Sequence, residues 1–178
     1  FRPYRKFSPT RFHVSSDDPT PMPLQTMKTD TPQTVYLKDY TPPAFLIDTV
    51  DLDFVIETGS TTVTATLAVR RNPAVAAQPL VLDGDELETL SVAVDGEKWP
   101  FSETPTQLTL SDLPGAFTLT TEVRIQPDSN TRLSGLYRSK DGYFTQCEAQ
   151  GFRRITYFLD RPDVMSTYTV TLHADKEK

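Results

Sequence analysis

The chain has 178 residues, of which 37% are hydrophobic and 24% are charged, and its formal net charge is -6. This length predicts one folded domain that buries about two thirds of its unfolded surface. The acidic balance argues against nucleic-acid binding, which needs clustered Lys and Arg, and no stretch approaches the roughly 20 apolar residues that span a membrane.

Residues 1–34 are predicted to form a proline-rich, extended N-terminal arm. Eight of the 15 prolines fall within residues 1–43, and this stretch has neither a helical nor a strand period. The first thirteen residues carry four basic side chains and no acid. This start is either the remnant of an organelle-targeting peptide or a disordered tail, and we favour the tail. We expect a soluble protein of the cytoplasm or of an organelle.

The next segments alternate apolar and polar residues, as half-buried strands do. Residues 50–56 and 63–69 flank Thr58-Gly59-Ser60 and are predicted to pair as a hairpin. Short apolar runs at 80–82 and 90–94 end at Asp83-Gly84 and Asp95-Gly96. Asp-Gly is a strong hairpin signal, because glycine tolerates the positive φ of the tight turns that join paired strands.

Further strands are predicted at 108–110, 117–125 and 168–174. About eight strands without a long amphipathic helix indicate an all-β fold for residues 35–178, an antiparallel β-sandwich or a saddle-shaped sheet. A short helix is expected at 162–166, because Pro162 suits the first helical position and Asp163 complements the helix dipole.

Residues 145–165, called here the signature segment, concentrate charge, amide, thiol and aromatic groups more than any other part of the chain. If its backbone is extended, Gln146 and Glu148 point to one face and Cys147 to the other. A carboxylate beside an amide suits a ligand with an ammonium group, because both accept hydrogen bonds from its nitrogen. Gln146 and Glu148 are therefore the candidate site residues.

The signature segment closely resembles that of the aminopeptidase N family of zinc exopeptidases, and only Gln150 departs, where the family usually has Glu. The resemblance extends through residues 134–139 and, more loosely, from residue 35 to the end of the chain. It implies that Gln146 and Glu148 bind the free α-amino group of a peptide substrate. It also implies that in the intact enzyme a zinc-bound water attacks the first peptide carbonyl.

The catalytic motifs of that family are missing from this chain. H-E-x-x-H, which holds zinc on a helix, does not occur, and neither His13 nor His173 begins such a motif. The Gly-Ala-Met-Glu-Asn motif of the family is absent too. The resemblance therefore predicts an excised N-terminal domain that binds no zinc and is inactive alone, with the enzyme's own catalytic domain and a peptide N-terminus as its partners.

Other patterns have simpler interpretations. We expect Cys147 to be a buried structural thiol rather than a nucleophile. The charged residues of the signature segment are expected to pair with one another, and the acids at 83–88 to form a solvated turn, since they lack the spacing of a calcium-binding loop.

The alternative function is a non-catalytic β-sandwich module that binds a protein or a carbohydrate. An acidic all-β chain without catalytic motifs is compatible with it, and fold alone does not separate the two functions. The preferred N-terminal residue of the substrate, the compartment, the oligomeric state and the role of residues 1–34 are not encoded in any pattern of the sequence.

Overall fold

The structure is a computed structural model, and it describes residues 36–175. The predicted arm at 1–34 lies outside the described residues. The chain divides into two units, Phe1–Tyr40 and Thr41–Lys178. The described part of the first contains one 3-10 turn at Leu37–Asp39, and the second contains eleven strands and two more 3-10 turns, Pro127–Ser129 and Phe152–Arg154. The strands are β1 (Phe45–Ile56), β2 (Thr61–Arg71), β3 (Leu80–Asp83), β4 (Glu88–Val94), β5 (Glu97–Lys98), β6 (Ser102–Thr104), β7 (Gln107–Leu110), β8 (Ala116–Ile125), β9 (Gly135–Ser139), β10 (Gly142–Gln146) and β11 (Thr167–His173).

The strands form three sheets. The largest has the order β11-β1-β2-β8-β4-β5, a second has the order β3-β7-β6, and β9 pairs with β10 as a separate hairpin. β11 pairs with β1 in parallel, and the other strand pairs of the described residues are antiparallel. The all-β prediction is confirmed. No helix in the described part of the chain is both long and apolar enough to cross a membrane.

Two of the predicted hairpins are present. β1 and β2 pair along nearly their whole length, and the Glu57 N–H donates to the Ser60 carbonyl at 3.0 Å to close the turn between them. Asp95 and Gly96 join β4 to β5 with φ values of 51° and 85°, as a tight hairpin turn requires.

The predicted hairpin at Asp83-Gly84 is wrong. β3 pairs with β7, and on its other side Asp83 forms a bridge with Phe158, so β4 joins a different sheet. Gly84 is needed for space: a Cβ atom there would lie 2.3 Å from the Tyr157 ring. The dipeptide lies where β3 ends, but the partner of β3 is set by long-range contacts that the dipeptide does not report.

The short helix predicted at 162–166 is also absent. Residues 162 and 163 form a single turn, in which the Val164 N–H donates to the Arg161 carbonyl at 3.2 Å. Both carboxylate oxygens of Asp163 accept hydrogen bonds from Arg161, at 2.5 and 2.7 Å. β11 begins only three residues after this turn, and one turn of helix has a nucleation cost that so short a segment cannot recover.

The core contains side chains from both larger sheets and from the signature segment. Its fully buried members include Leu67 and Leu119 of the six-stranded sheet and Leu82 and Leu108 of the three-stranded sheet. Three signature residues, Ile155, Tyr157 and Phe158, belong to the same hydrophobic cluster. The signature segment is therefore part of the core as well as a surface feature.

Leu119→Ala should destabilise the chain by about 2 to 5 kcal/mol, because it leaves a cavity in a close-packed core. The matched control is Leu172→Ala in β11, where the leucine is 64% exposed and the expected cost is below about 1 kcal/mol. Urea unfolding of both variants, followed by circular dichroism, measures the two costs. Equal losses would contradict the assignment of the core.

Candidate functional site

The signature segment leaves its hairpin abruptly. β10 ends at Gln146, residues 148–150 form a turn, and the Gly151 N–H donates to the Cys147 carbonyl at 2.7 Å. A Cβ atom on Gly151 would lie 2.5 Å from the Gln146 carbonyl oxygen, so only glycine lets the backbone fold back this closely. The 3-10 turn Phe152–Arg154 follows at once. The result is a compact loop with Gln146 and Glu148 at its start.

The two candidate site residues lie together, but not in the predicted way. An extended backbone through Glu148 is wrong, because the strand stops at Gln146 and Glu148 is in the turn. Instead the Gln146 side-chain Nε2 donates to the backbone carbonyl of Glu148 at 3.2 Å. Both residues are exposed, and the peptide bond that follows Glu148 is cis. In the described part of the chain, the Glu148 carboxylate has no ion-pair partner.

Cys147 is half-buried and packs against the hydrophobic core. Burial raises the pKa of its thiol above the ordinary value, and the nearby Asp160 carboxylate raises it further. A raised pKa keeps the thiol protonated at neutral pH, whereas a nucleophilic cysteine needs a lowered one. This agrees with the predicted structural role.

Arg153 binds the irregular segment that follows the 3-10 turn. Its backbone N–H and its Nε both donate to Asp160 Oδ2, at 3.1 and 2.9 Å, and its Nη2 donates to the Asp160 carbonyl at 3.0 Å. Nη2 also lies 3.4 Å from Asp83 Oδ2. Pairing within the signature segment is thus confirmed for Arg153 with Asp160, as it is for Arg161 with Asp163.

Arg154 pairs outside the signature segment, with residues 83–88, called here the acidic turn. Its side chain is only 6% exposed and donates to Asp85 and Glu86, both at 2.5 Å, while Nε donates to the Ser134 carbonyl at 3.2 Å. The acidic turn is therefore not merely solvated, as predicted, because it binds Arg154. The sequence shows that the signature segment contains arginines and that the acidic turn contains carboxylates. No local pattern indicates that Arg154 would contact residues 69 and 68 positions away in the chain.

Two of the described surface depressions lie beside the acidic turn and a third lies beside Pro43 and Leu80, so none is at the candidate site. One depression has a volume of about 320 Å³, and its lining includes Asp85, Glu86, Arg124 and Arg154. Gln146 and Glu148 line none of the described depressions. Within residues 36–175, no group of three or more His, Cys, Asp and Glu side chains could hold a metal ion. Gln146 and Glu148 thus stand on open surface.

Comparison with known proteins identifies the family. The model of the peptidase M1 N-terminal domain matches residues 46–178. The chain belongs to this family. Aminopeptidase N of Caulobacter vibrioides is 49% identical over 84% of this chain and 18% of its own length, and aminopeptidase N of Escherichia coli is 44% identical over 84% and 17%.

Solved structures agree with the fold of this M1 domain. Aminopeptidase A of Legionella pneumophila, in complex with aspartic acid, has a TM-score of 0.74 at 28% identity and covers 79% of this chain and 17% of its own. An M1 zinc metallopeptidase from Deinococcus radiodurans has a TM-score of 0.62 at 18% identity over 72% and 32%, which shows the fold alone. The chain spans less than a fifth of the length of the curated relatives given above.

Arg154→Ala should destabilise this domain by about 2 to 3 kcal/mol, because it removes the buried cation that binds Asp85 and Glu86 and leaves them only the exposed Arg132. The matched control is Arg124→Ala, which removes an exposed pair with Glu88 and should cost less than about 1 kcal/mol. Urea unfolding of the M1 domain measures both. Equal costs would mean that the Arg154 pairs do not hold the signature segment.

Because burial raises the pKa of Cys147, the folded chain should be alkylated by iodoacetamide more slowly at pH 8 than the urea-unfolded chain. The pH at which alkylation is half-maximal should shift upward on folding. A downward shift would indicate an activated thiol. Cys147 is the single cysteine of the chain, so no other thiol contributes to the measured rate.

Proposed function

We propose that the chain is the N-terminal domain of a zinc metallo-aminopeptidase that removes N-terminal amino acids from peptides. In this proposal Gln146 and Glu148 anchor the α-amino group of the substrate. The observation that carries it is the hydrogen bond from Gln146 Nε2 to the Glu148 carbonyl, which joins the two residues in an exposed loop. Membership of the M1 N-terminal domain family supports it independently.

The hydrogen bond determines which atoms of Gln146 and Glu148 are offered to a ligand. With Nε2 turned toward the Glu148 backbone, the Gln146 side chain presents Oε1, which is an acceptor. The Glu148 carboxylate is also an acceptor and carries the negative charge. An ammonium group has three donors and a positive charge, so it complements both.

Anchoring the amine would fix where the peptide is cut. With the α-amino group held by Gln146 and Glu148, the first peptide carbonyl is placed at a constant distance from the anchor, and cleavage after one residue follows. This is catalysis by positioning, which lowers the entropic part of the barrier. A blocked amine lacks the charge and the donors, so it would not be held.

Among the described residues no group of three or more His, Cys, Asp and Glu side chains could hold a metal ion, and the full sequence lacks H-E-x-x-H. In the proposal, the metal and its chemistry belong to a catalytic domain outside this chain. This chain alone is then inactive. This chain covers less than a fifth of aminopeptidase N of Caulobacter vibrioides and of Escherichia coli, which supports that division. The partners are therefore a peptide N-terminus and the catalytic domain, whose surface would close over the exposed anchor.

The alternative function, a binding module, expects an exposed apolar patch far from the signature segment. β11 does expose Tyr168, Val170 and Leu172. However, the Tyr168 ring lies 5.8 Å from that of Phe152 and 6.3 Å from that of Phe158, both in the signature segment. The exposed row is thus continuous with the segment that the enzyme proposal uses, and it gives no separate support to a binding module.

In the intact enzyme, Glu148→Ala should lower kcat/KM for an unblocked peptide by about 2 to 5 kcal/mol of transition-state binding. That range applies to a charge pair shielded from water, which closure of the catalytic domain over Glu148 would produce. Steady-state hydrolysis of a peptide with a free N-terminus measures the change.

The matched control is Glu57→Ala, an exposed acid in the turn after β1, which should leave kcat/KM unchanged. Unchanged kcat/KM in the Glu148 variant would sink the amine-anchor proposal. An equal loss in both variants would also contradict it, because the effect would then come from net charge.

A further inference from the structure

The β9–β10 hairpin carries a pair of stacked aromatic rings, of which Phe144 is exposed and Tyr137 is partly buried. Tyr137 and Phe144 face each other across the two strands, with ring centroids 5.9 Å apart and ring planes inclined by 25°. Phe144 is 51% exposed. Exposed aromatic rings such as that of Phe144 are a common feature of binding surfaces, because they offer a large apolar area.

The opposite face of β10 turns toward the domain. Tyr143 packs against the core, and its hydroxyl donates to Asp128 Oδ1 at 3.3 Å. Since neighbouring residues of a strand point to opposite faces, Phe144 points away from this packing. The ring pair is therefore not part of the core of this domain.

Gln146 lies on the same face of β10 as Phe144, because the two residues are two positions apart in one strand. Two residues of strand span about 6.6 Å, so the rings and the amide are close neighbours. The residue opposite Gln146 in β9 is Gly135, which places no side chain over the amide. The aromatic pair and the proposed amine anchor thus form one continuous surface.

We infer that Tyr137 and Phe144 form one wall of the pocket for the side chain of the substrate's N-terminal residue, and that they favour apolar and aromatic side chains there. The inference rests on the proposed function. An amino acid carries its amine and its side chain on the same carbon, so a substrate anchored at Gln146 places its first side chain within reach of Phe144. Ring stacking and apolar contact would then add to the binding of the amine.

The test compares two substrates of the intact enzyme that differ only in the N-terminal residue, phenylalanine or alanine, with the same leaving group. Phe144→Ala should lower kcat/KM for the phenylalanine substrate about two- to tenfold and change the alanine substrate less than twofold. Phe144→Tyr keeps a ring and should retain the wild-type preference. Phe101→Ala removes another exposed phenylalanine, 43% exposed and outside the hairpin, and should alter neither substrate.

An equal fall for both substrates in Phe144→Ala, or no change in either, would overturn the inference. Glu148→Ala separates this outcome from failure of the proposed function, because loss of the anchor should weaken both substrates alike. If Glu148→Ala has no effect while Phe144→Ala changes the preference, the anchor is wrong and the aromatic wall stands. If the wild type hydrolyses neither substrate, the proposed function fails and the inference fails with it.

Discussion

Two adjacent arginines hold the signature segment to the rest of the domain, and the geometry of the candidate site depends on them. Arg153 binds Asp160 and approaches Asp83, while the nearly buried Arg154 binds Asp85 and Glu86. A buried guanidinium without these carboxylates would carry a large desolvation cost, so the segment and the acidic turn are stable only together. Charge pairing thus selects one position for the loop that begins at Gln146.

Backbone hydrogen bonds also hold the signature segment against the acidic turn. Asp83 and Phe158 exchange two of them, at 2.8 and 3.1 Å, and the Asp85 N–H donates to the Arg153 carbonyl at 2.9 Å. The strand β3 is therefore bonded on both sides, by β7 and by the signature segment. Because Phe158 and its neighbours also enter the core, movement of the loop would disturb the packing between the sheets.

These contacts hold the loop that carries Gln146 and Glu148, two exposed hydrogen-bond acceptors. Gln146 and Glu148 lie where the hairpin ends, outside the described depressions and beside the stacked rings of Tyr137 and Phe144. The chain spans less than a fifth of the length of its curated relatives, and in the proposed function a catalytic domain covers this surface. The exposed apolar row of β11 is consistent with the same arrangement.

The sequence by itself determined the all-β class, the β1–β2 hairpin and the turn at Asp95-Gly96, because alternation and turn residues are local signals. The resemblance within residues 145–165 also led to the M1 family. Only the tertiary structure decided that β3 pairs with β7, that residues 162–163 form a turn, and that Arg154 binds the acidic turn. These features join residues far apart in the chain, and their partners are chosen by burial and charge in the folded state, which no local pattern records.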